Sequence, residues 1–249
     1  MKRTAKPKRL NLILNGKGGV GKSFFATNLV QYLKDQSVEH VAFDTDNENS
    51  TLKRFHPEAQ FVDLSKPASI DGLFSELNGQ SLAVVDCRAA STDIFLDYFT
   101  ELNVFDVLRE LDASLTLISP VNHEPDSVKQ IQILTERLGD NADYVVVKNH
   151  SFTDQFAIYE KSKTRARLLN ELAGREIEMP KLNDWLVVGL NQAGCTITAA
   201  LKHPQFPIMD RQRLKNWQRK FNEQVESARD LLLPARQRAA REKEPPRER

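Results

Sequence analysis

The chain has 249 residues, 40% of them hydrophobic and 28% charged, with a formal net charge of +1. That balance suits one globular α/β domain, and the near-neutral charge does not by itself declare a nucleic-acid binder. Its two cysteines, Cys87 and Cys195, lie far apart with no C-x-x-C, which speaks against a disulfide framework or a zinc site and fits a reducing cytosol.

The first residues, MKRTAKPKR, are basic without the long apolar core of a signal peptide, so residues 1–9 read as a flexible arm. No later stretch approaches the ~20 apolar residues that span a bilayer, so no membrane insertion is expected. The two cysteines read as small buried apolar residues.

The first strand is expected over 10–15. It runs straight into Gly16-Lys17-Gly18-Gly19-Val20-Gly21-Lys22-Ser23, a match to G-x-x-x-x-G-K-[ST]. Each residue type has a mechanical reason to be there. Glycines let backbone N–H groups turn toward a phosphate with no Cβ in the way. Lys22 reaches the outer phosphates, and the Ser23 hydroxyl is a Mg²⁺ ligand. The helix predicted over 22–36 adds its positive N-terminal end, with Phe25, Leu29 and Leu33 on one stripe. Gly16 through Phe24 is therefore the candidate nucleotide-binding run, with Lys17 as a second lysine just inside it.

A second strand is expected over 40–44, followed by the polar run Asp44-Thr45-Asp46-Asn47-Glu48-Asn49. Here Asp46 is a candidate to orient an attacking water and Asp44 to support a metal shell; a turn-forming role is the open alternative. Strands follow at 60–64 and 82–86, with a helix at 70–78 between them. Asp86 closes the apolar run Leu82-Ala83-Val84-Val85, where an acid beside the phosphate loop is placed to hold Mg²⁺; starting a turn or capping the next helix is the open alternative.

Helices are predicted at 93–111, 125–139 and 153–173, and strands at 114–119, 143–148 and 175–179. Asp126 or Ser127 is the expected cap of the middle helix, and Gly139 and Gly174 stand where helices should end. Asn149, after the sixth strand, is placed to read a purine edge or is an ordinary turn residue. No Asn-Lys-x-Asp is present, which favours adenine over guanine. Pro180 either fixes a backbone edge near the base or only stops the last strand. His123 and His150 are loop histidines without evident partners. Continuous apolar strands alternating with helices predict a doubly wound, mostly parallel α/β sheet with ligands at the carboxyl ends of its strands.

Leu214, Trp217, Phe221, Val225 and Leu232 recur at helical spacing, giving an amphipathic helix over about 208–233. It completes a domain spanning 10–234. Arg211, Lys215 and Arg219 share one of its faces, and Lys161, Lys163, Arg165 and Arg167 make a second basic run. Each is open to two readings, a DNA-backbone patch or a solvated helix face. The remainder, 235–249, is charged and poor in apolar residues, which predicts a disordered tail.

The loop from Lys17 to Ser23, the Asp44-Thr45-Asp46 segment and Asp86 together resemble the deviant Walker A box and the two switches of the ParA/MinD family of ATPases, over roughly residues 10–180. The resemblance implies a P-loop ATPase fold, ATP and Mg²⁺ as ligands, and an ATP-dependent homodimer in which Lys17 reaches the partner's nucleotide. Slow hydrolysis, raised by a partner, is implied as well. The late segment Ile208-Met209-Asp210-Arg211-Gln212-Arg213-Leu214-Lys215 resembles conjugal-transfer members of that group, implying a cytosolic role in plasmid DNA transfer alongside transfer-machinery or DNA-processing proteins. Other readings are a partition ATPase binding DNA without sequence preference, a nucleotide-sensing scaffold with little hydrolysis, and a small-molecule ligase or kinase. Two departures from the family pattern bear on hydrolysis and switch coupling. Cys87-Arg88-Ala89-Ala90 stands where a Gly- or Pro-containing turn is usual, and Asn47 where Pro is usual.

Overall fold

The computed structural model describes residues 8–235. Strands β1 (Lys8–Ile13), β2 (Val41–Asp44), β3 (Gln60–Phe61), β4 (Leu82–Asp86), β5 (Ala113–Val121), β6 (Asp143–Asn149) and β7 (Arg175–Met179) form one sheet in the order β3-β2-β4-β1-β5-β6-β7. Every neighbouring pair is parallel. Central strands covered on both faces need apolar side chains on both, and all five residues of β4 are buried.

On one face lie α3 (Pro67–Gly79), α4 (Thr92–Glu101), α5 (Val104–Glu110), α6 (Pro125–Leu138), α7 (Ala157–Glu160) and α8 (Lys163–Asn170), closing a core around Leu10, Leu12, Val85 and Leu117. The other face carries α1 (Lys22–Asp35), α2 (Thr51–Phe55), α9 (Asp184–Ala193), α10 (Ile197–Ala200), α11 (Ile208–Ser227) and α12 (Arg229–Leu232), packed on Ile13, Val84, Ile118 and Val145. Neighbouring β1 residues Leu12 and Ile13 serve opposite cores, as the two-residue strand period requires. The order in which strands are added reverses at β1, which has β4 on one side and β5 on the other, so the crevice beyond its carboxyl end is the switch point of the sheet.

The N-terminal ends of the central strands bury polar groups of their own. Arg9, 3% exposed, donates from Nη1 to Thr116 Oγ1 at 2.6 Å and to Asp143 Oδ2 at 2.8 Å, and from Nη2 to the Asp230 carbonyl at 3.0 Å. Asn11 Nδ2 donates to the Leu232 carbonyl at 2.8 Å, and the Thr116 hydroxyl to the Leu231 carbonyl at 2.6 Å. These bonds fasten α12 beneath the sheet. Lys8 and Arg9, expected in the arm, therefore belong to β1, while residues 1–7 and the charged tail from residue 236 onward lie outside the described residues.

Local chemistry also cuts three expected helices in two. The 93–111 helix breaks at Asn103, which takes the left-handed conformation (φ 48°) that asparagine tolerates better than most residues. The 153–173 helix breaks at Ser162, whose hydroxyl caps α8 by accepting from the Arg165 N–H at 3.0 Å. The long C-terminal helix turns at Ala228, between α11 and α12. The cap expected from Asp126 or Ser127 is not formed: Glu124 precedes α6 with Pro125 in the first turn, and the Ser127 hydroxyl donates back to the Glu124 carbonyl at 2.7 Å. Gly139 ends α6 as expected, whereas α8 stops at Asn170 and Gly174 instead leads into β7. Gly174 is packed so tightly on Leu168 that a side chain would collide with it.

Candidate nucleotide-binding site

The phosphate loop connects the end of β1 to α1 at the switch point. Gly19 (φ 76°) and Gly21 (φ 99°) hold the two left-handed turns that swing its amides inward. Gly21 is doubly required, because a Cβ there would run into the Asn149 amide. Val20 is wholly buried and anchors the loop. At the loop's entry, buried Asn15 donates to the Pro120 and Ser127 carbonyls at 3.0 and 2.9 Å and accepts from the Lys17 N–H at 3.0 Å. Lys22, 7% exposed, folds back so that Nζ donates to the Lys17 carbonyl at 2.9 Å. Burial lowers its pKa, against the pull of Cys87, Asp86 and Asp46.

β4 delivers Asp86 beside this loop, its backbone registered against Ile13 of β1 and Asp44 of β2. The side chain is 2% exposed, and neither carboxylate oxygen completes a hydrogen bond. Burial pushes its pKa up to about 7; the nearby Ser23 hydroxyl and Lys22 pull it down, while Asp44 and Asp46 push it further up. An orphaned buried carboxylate is costly unless a cation is its intended partner. Among the described residues no group of three His, Cys, Asp or Glu side chains is arranged to hold a metal. Ser23 and Asp86 fit the other arrangement, in which Mg²⁺ takes one or two protein oxygens and completes its shell with phosphate and water.

The two acids after β2 are engaged differently. Asp44 is fully buried; its Oδ1 accepts from the Asp46 N–H at 2.9 Å and its Oδ2 from the Lys53 N–H at 3.1 Å. It thus clamps the loop to the first turns of α2, and burial raises its pKa despite those bonds. Asp46 accepts from the Glu48 and Asn49 N–H groups at 2.9 and 3.2 Å and from Asn49 Nδ2 at 3.2 Å. Burial alone would raise its pKa, but the Asn49 and Glu48 bonds and the Arg88 charge bring it below the usual carboxylate value. The helix that Asp44 reaches through the Lys53 N–H, α2, was not evident in the sequence. Thr45 ties the two switch segments together: its N–H and hydroxyl both reach the Asp86 carbonyl at 3.1 Å, and its Oγ1 accepts from the Arg88 N–H at 2.8 Å.

Around this centre the remaining expected residues are distributed as follows. Lys17 is half-exposed and ion-paired within its own chain, Nζ to Glu124 Oε2 at 2.7 Å, a contact that raises its pKa. Asn149 is buried under the loop and not open beside it. Its Nδ2 donates to the Val20 carbonyl at 2.9 Å and its Oδ1 accepts from the Ser151 N–H at 3.0 Å, so its amide braces the loop instead of presenting itself to a base. The Pro180 carbonyl accepts from Trp217 Nε1 at 2.7 Å, and Trp217 packs edge-on against Phe24 with ring centroids 5.4 Å apart. Trp217 thereby links Phe24 to Pro180, a connection that only the spacing of the α11 apolar stripe hinted at. His150, which looked unpartnered, sits between Asp154 (2.8 Å) and Glu178 (2.6 Å). Cys87 is buried as expected, while Cys195 is half-buried.

The basic runs are partly committed. Arg165 makes a two-pronged pair with Glu176 at 2.7 and 3.0 Å, Arg219 pairs with Glu223 at 2.6 Å, and Arg213 pairs with Asp210 at 3.0 Å. Lys215 and Lys220 remain exposed on α11.

A glycine-turned anion loop at a switch point, flanked by a buried lysine and an unpaired buried carboxylate, defines a P-loop nucleotide-binding protein. The chain belongs to the CobQ/CobB/MinD/ParA nucleotide binding domain family, whose profile matches residues 12–233, and so falls among the ParA/MinD-type P-loop ATPases. It is similar to protein MobD of Acidithiobacillus ferrooxidans, at 26% identity over 226 residues covering 88% of this chain and 97% of MobD. Protein TraL of Escherichia coli is also 26% identical, over 242 residues covering 88% of this chain and 98% of TraL. Among solved structures, the MinC:MinD cell division complex of Aquifex aeolicus superposes with a TM-score of 0.50 at 13% identity, over 93% of this chain and all of that one. A Borrelia burgdorferi protein described as a plasmid partition protein, bound to AMPPNP, also gives 0.50, at 15% identity over 89% and 99% of the two chains. At these identities the two structures speak for the shared fold. Among the described residues no helix is long and apolar enough to cross a membrane.

Proposed function

We propose that this protein is an ATP-dependent dimerisation switch that hydrolyses ATP slowly and acts in plasmid conjugal transfer. The observation that carries the nucleotide chemistry is Asp86: a fully buried carboxylate with two unpartnered oxygens, one strand away from a lysine-bearing phosphate loop. Loop amides and Lys22 bind the β- and γ-phosphates. Ser23 and Asp86 would hold Mg²⁺, which when bound would neutralise charge building on the phosphoryl oxygens. Asp46, kept ionised by its backbone bonds, orients a water. In hydrolysis the water oxygen bonds to the γ-phosphorus and the bond to the β–γ bridging oxygen breaks. That electron pair leaves with ADP; one water proton stays on the new hydroxyl of inorganic phosphate, and the other passes to a phosphate oxygen or to solvent.

Lys17 acts across the dimer. In the single chain it is held by Glu124, so assembly has to exchange that partner for the facing protomer's phosphate. The transfer role is supported by the resemblance of the phosphate loop, the Asp44–Asp46 box and the 208–215 segment to conjugal-transfer proteins, and by the full-length similarity to TraL and MobD.

Size-exclusion chromatography with light scattering, run with ADP, ATP and a slowly hydrolysed analogue, tests the switch. A dimer with the ATP forms and a monomer with ADP is the expected result. One mass in all three conditions contradicts it. A partition-type reading is favoured by the exposed Lys215 and Lys220 on α11, and it predicts ATP-dependent, salt-sensitive binding to DNA of any sequence.

A further inference from the structure

Arg88, two residues beyond Asp86, takes no part in the chemistry described so far. Its backbone is fixed on both sides: the N–H donates to Thr45 Oγ1 at 2.8 Å, and the carbonyl accepts from Ser91 Oγ at 2.8 Å. The residues that follow close against the phosphate loop. The Ala90 N–H donates to the Gly16 carbonyl at 3.0 Å, and a Cβ on Gly18 would stand 3.6 Å from that of Ala89. Ala90 holds a positive φ of 56° to make this approach.

The guanidinium sits on this rigid mount without a directly paired carboxylate among the described residues. Its Nε is buried with no hydrogen-bond partner, and among the described residues no carboxylate pairs with it within salt-bridge distance. Its charge is felt at Asp46, across the mouth of the site. Arg88 and Asp86 are thus two orphans of opposite sign on one short turn that do not satisfy each other. A buried unmatched donor is a standing cost to the fold. A planar guanidinium fork is matched best by a carboxylate or phosphate. The phosphate loop beneath Ala89 and Ala90 is built to hold the second of these.

We propose that Arg88 is a catalytic residue of its own chain's site, donating to the γ-phosphate oxygens of bound ATP and stabilising the charge that develops there as the γ-phosphorus passes from the bridging oxygen to water. The inference rests on the ATP-hydrolysis reading above. It adds a cation that works within one protomer, whereas Lys17 works only once two protomers meet. The turn that departs from the family pattern is then a gain of function: it exchanges a turn residue for a phosphate ligand. It also gives the single chain a means to prefer ATP over ADP before it dimerises, because only ATP has a γ-phosphate for Arg88 to grip.

The test uses the full chain with fluorescent ATP and ADP analogues for affinity and single-turnover hydrolysis for chemistry. Arg88→Ala is expected to weaken ATP binding about tenfold and slow hydrolysis about 100-fold, with ADP affinity within about twofold of wild type. Arg88→Lys, which keeps the charge and loses the fork, is expected to recover ATP affinity in part and hydrolysis less. Retained ADP binding certifies that a variant is folded. Should Arg88→Ala not fold, Arg88→Lys decides: ATP binding and turnover at wild-type levels overturn the proposal. Equal weakening of ATP and ADP also overturns it, because Arg88 would then merely support the loop. Wild-type protein that binds neither nucleotide defeats the underlying reading as well, whereas wild-type turnover that Arg88→Ala leaves untouched defeats this inference alone.

Discussion

The two ends of the central strands both bury polar side chains, and Asp86 and Arg88 at the carboxyl end stand apart from the bonded set at the N-terminal end. At the N-terminal end, Arg9 makes three hydrogen bonds and the Asn11 amide one, leaving only Nε and Oδ1 without partners, and the reward is a fastened C-terminus. At the carboxyl end, Asp86 makes none with either oxygen and Arg88 leaves its buried Nε idle. Buried polar groups are normally matched. The first set stabilises the fold, and the second, on the function proposed above, waits for a ligand that brings both a cation and an anion. One sheet carries both because its N-terminal edge is sealed by α12 while its carboxyl edge opens on the switch-point crevice.

Replacing Arg9 should break the stabilising end. Arg9→Met leaves Asp143 and the Thr116 hydroxyl without the guanidinium, and is expected to lower the unfolding free energy by about 3–5 kcal/mol in urea titrations. Below its melting range the variant should keep its nucleotide affinity, because the site lies at the far end of the strands.

Asp86→Asn should do the reverse. An acid whose folded pKa is pushed up to about 7, well above the usual aspartate value, holds its proton more tightly when folded. Its contribution is fully present below the unfolded pKa and is lost as pH rises toward 7, a penalty of up to about 4 kcal/mol at pH 8. Asp86→Asn removes that penalty. Ligand-free variant should therefore outlast wild type in urea at pH 8, with the gap shrinking as pH falls toward 5, while Mg²⁺-dependent hydrolysis disappears. A variant less stable than wild type at pH 8 would contradict the assignment.

Most of the fold could be read from the chain because its signals are local. The continuous apolar strands, the glycine loop and the strand-ending Asp86 each declare themselves within a few residues, and all seven strands fall within about two residues of their expected starts. What escaped depends on contacts distant in sequence. Asn149 looked like a ligand because it follows a strand, but its amide is taken by Val20, 129 positions earlier. Glu124 could not be known as the holder of Lys17. α9 went unread because Val187, Val188 and Gly189 weaken a helical pattern, although Leu186 and Leu190 four apart, and Gly194 in a left-handed C-cap, were usable signals.

Asn149→Ala sharpens the same contrast on a smaller scale. It withdraws a buried donor from the Val20 carbonyl, and is expected to cost about 1–2 kcal/mol of stability and to loosen nucleotide binding by a similar amount in calorimetry. Smaller still is Ser162→Ala, which strips the cap of α8 far from the site. A loss of about 1 kcal/mol with unchanged nucleotide affinity is expected by thermal denaturation and titration.

The central claim is that Asp86 is kept buried and unpaired for a nucleotide-borne Mg²⁺. Calorimetric titration of ATP into wild type and Asp86→Asn, each with Mg²⁺ and with chelator, tests it most directly. The account predicts binding by wild type that tightens at least tenfold with Mg²⁺, and binding by Asp86→Asn that is indifferent to it. Equal affinities for wild type with and without Mg²⁺, or no heat of binding at all, would contradict it.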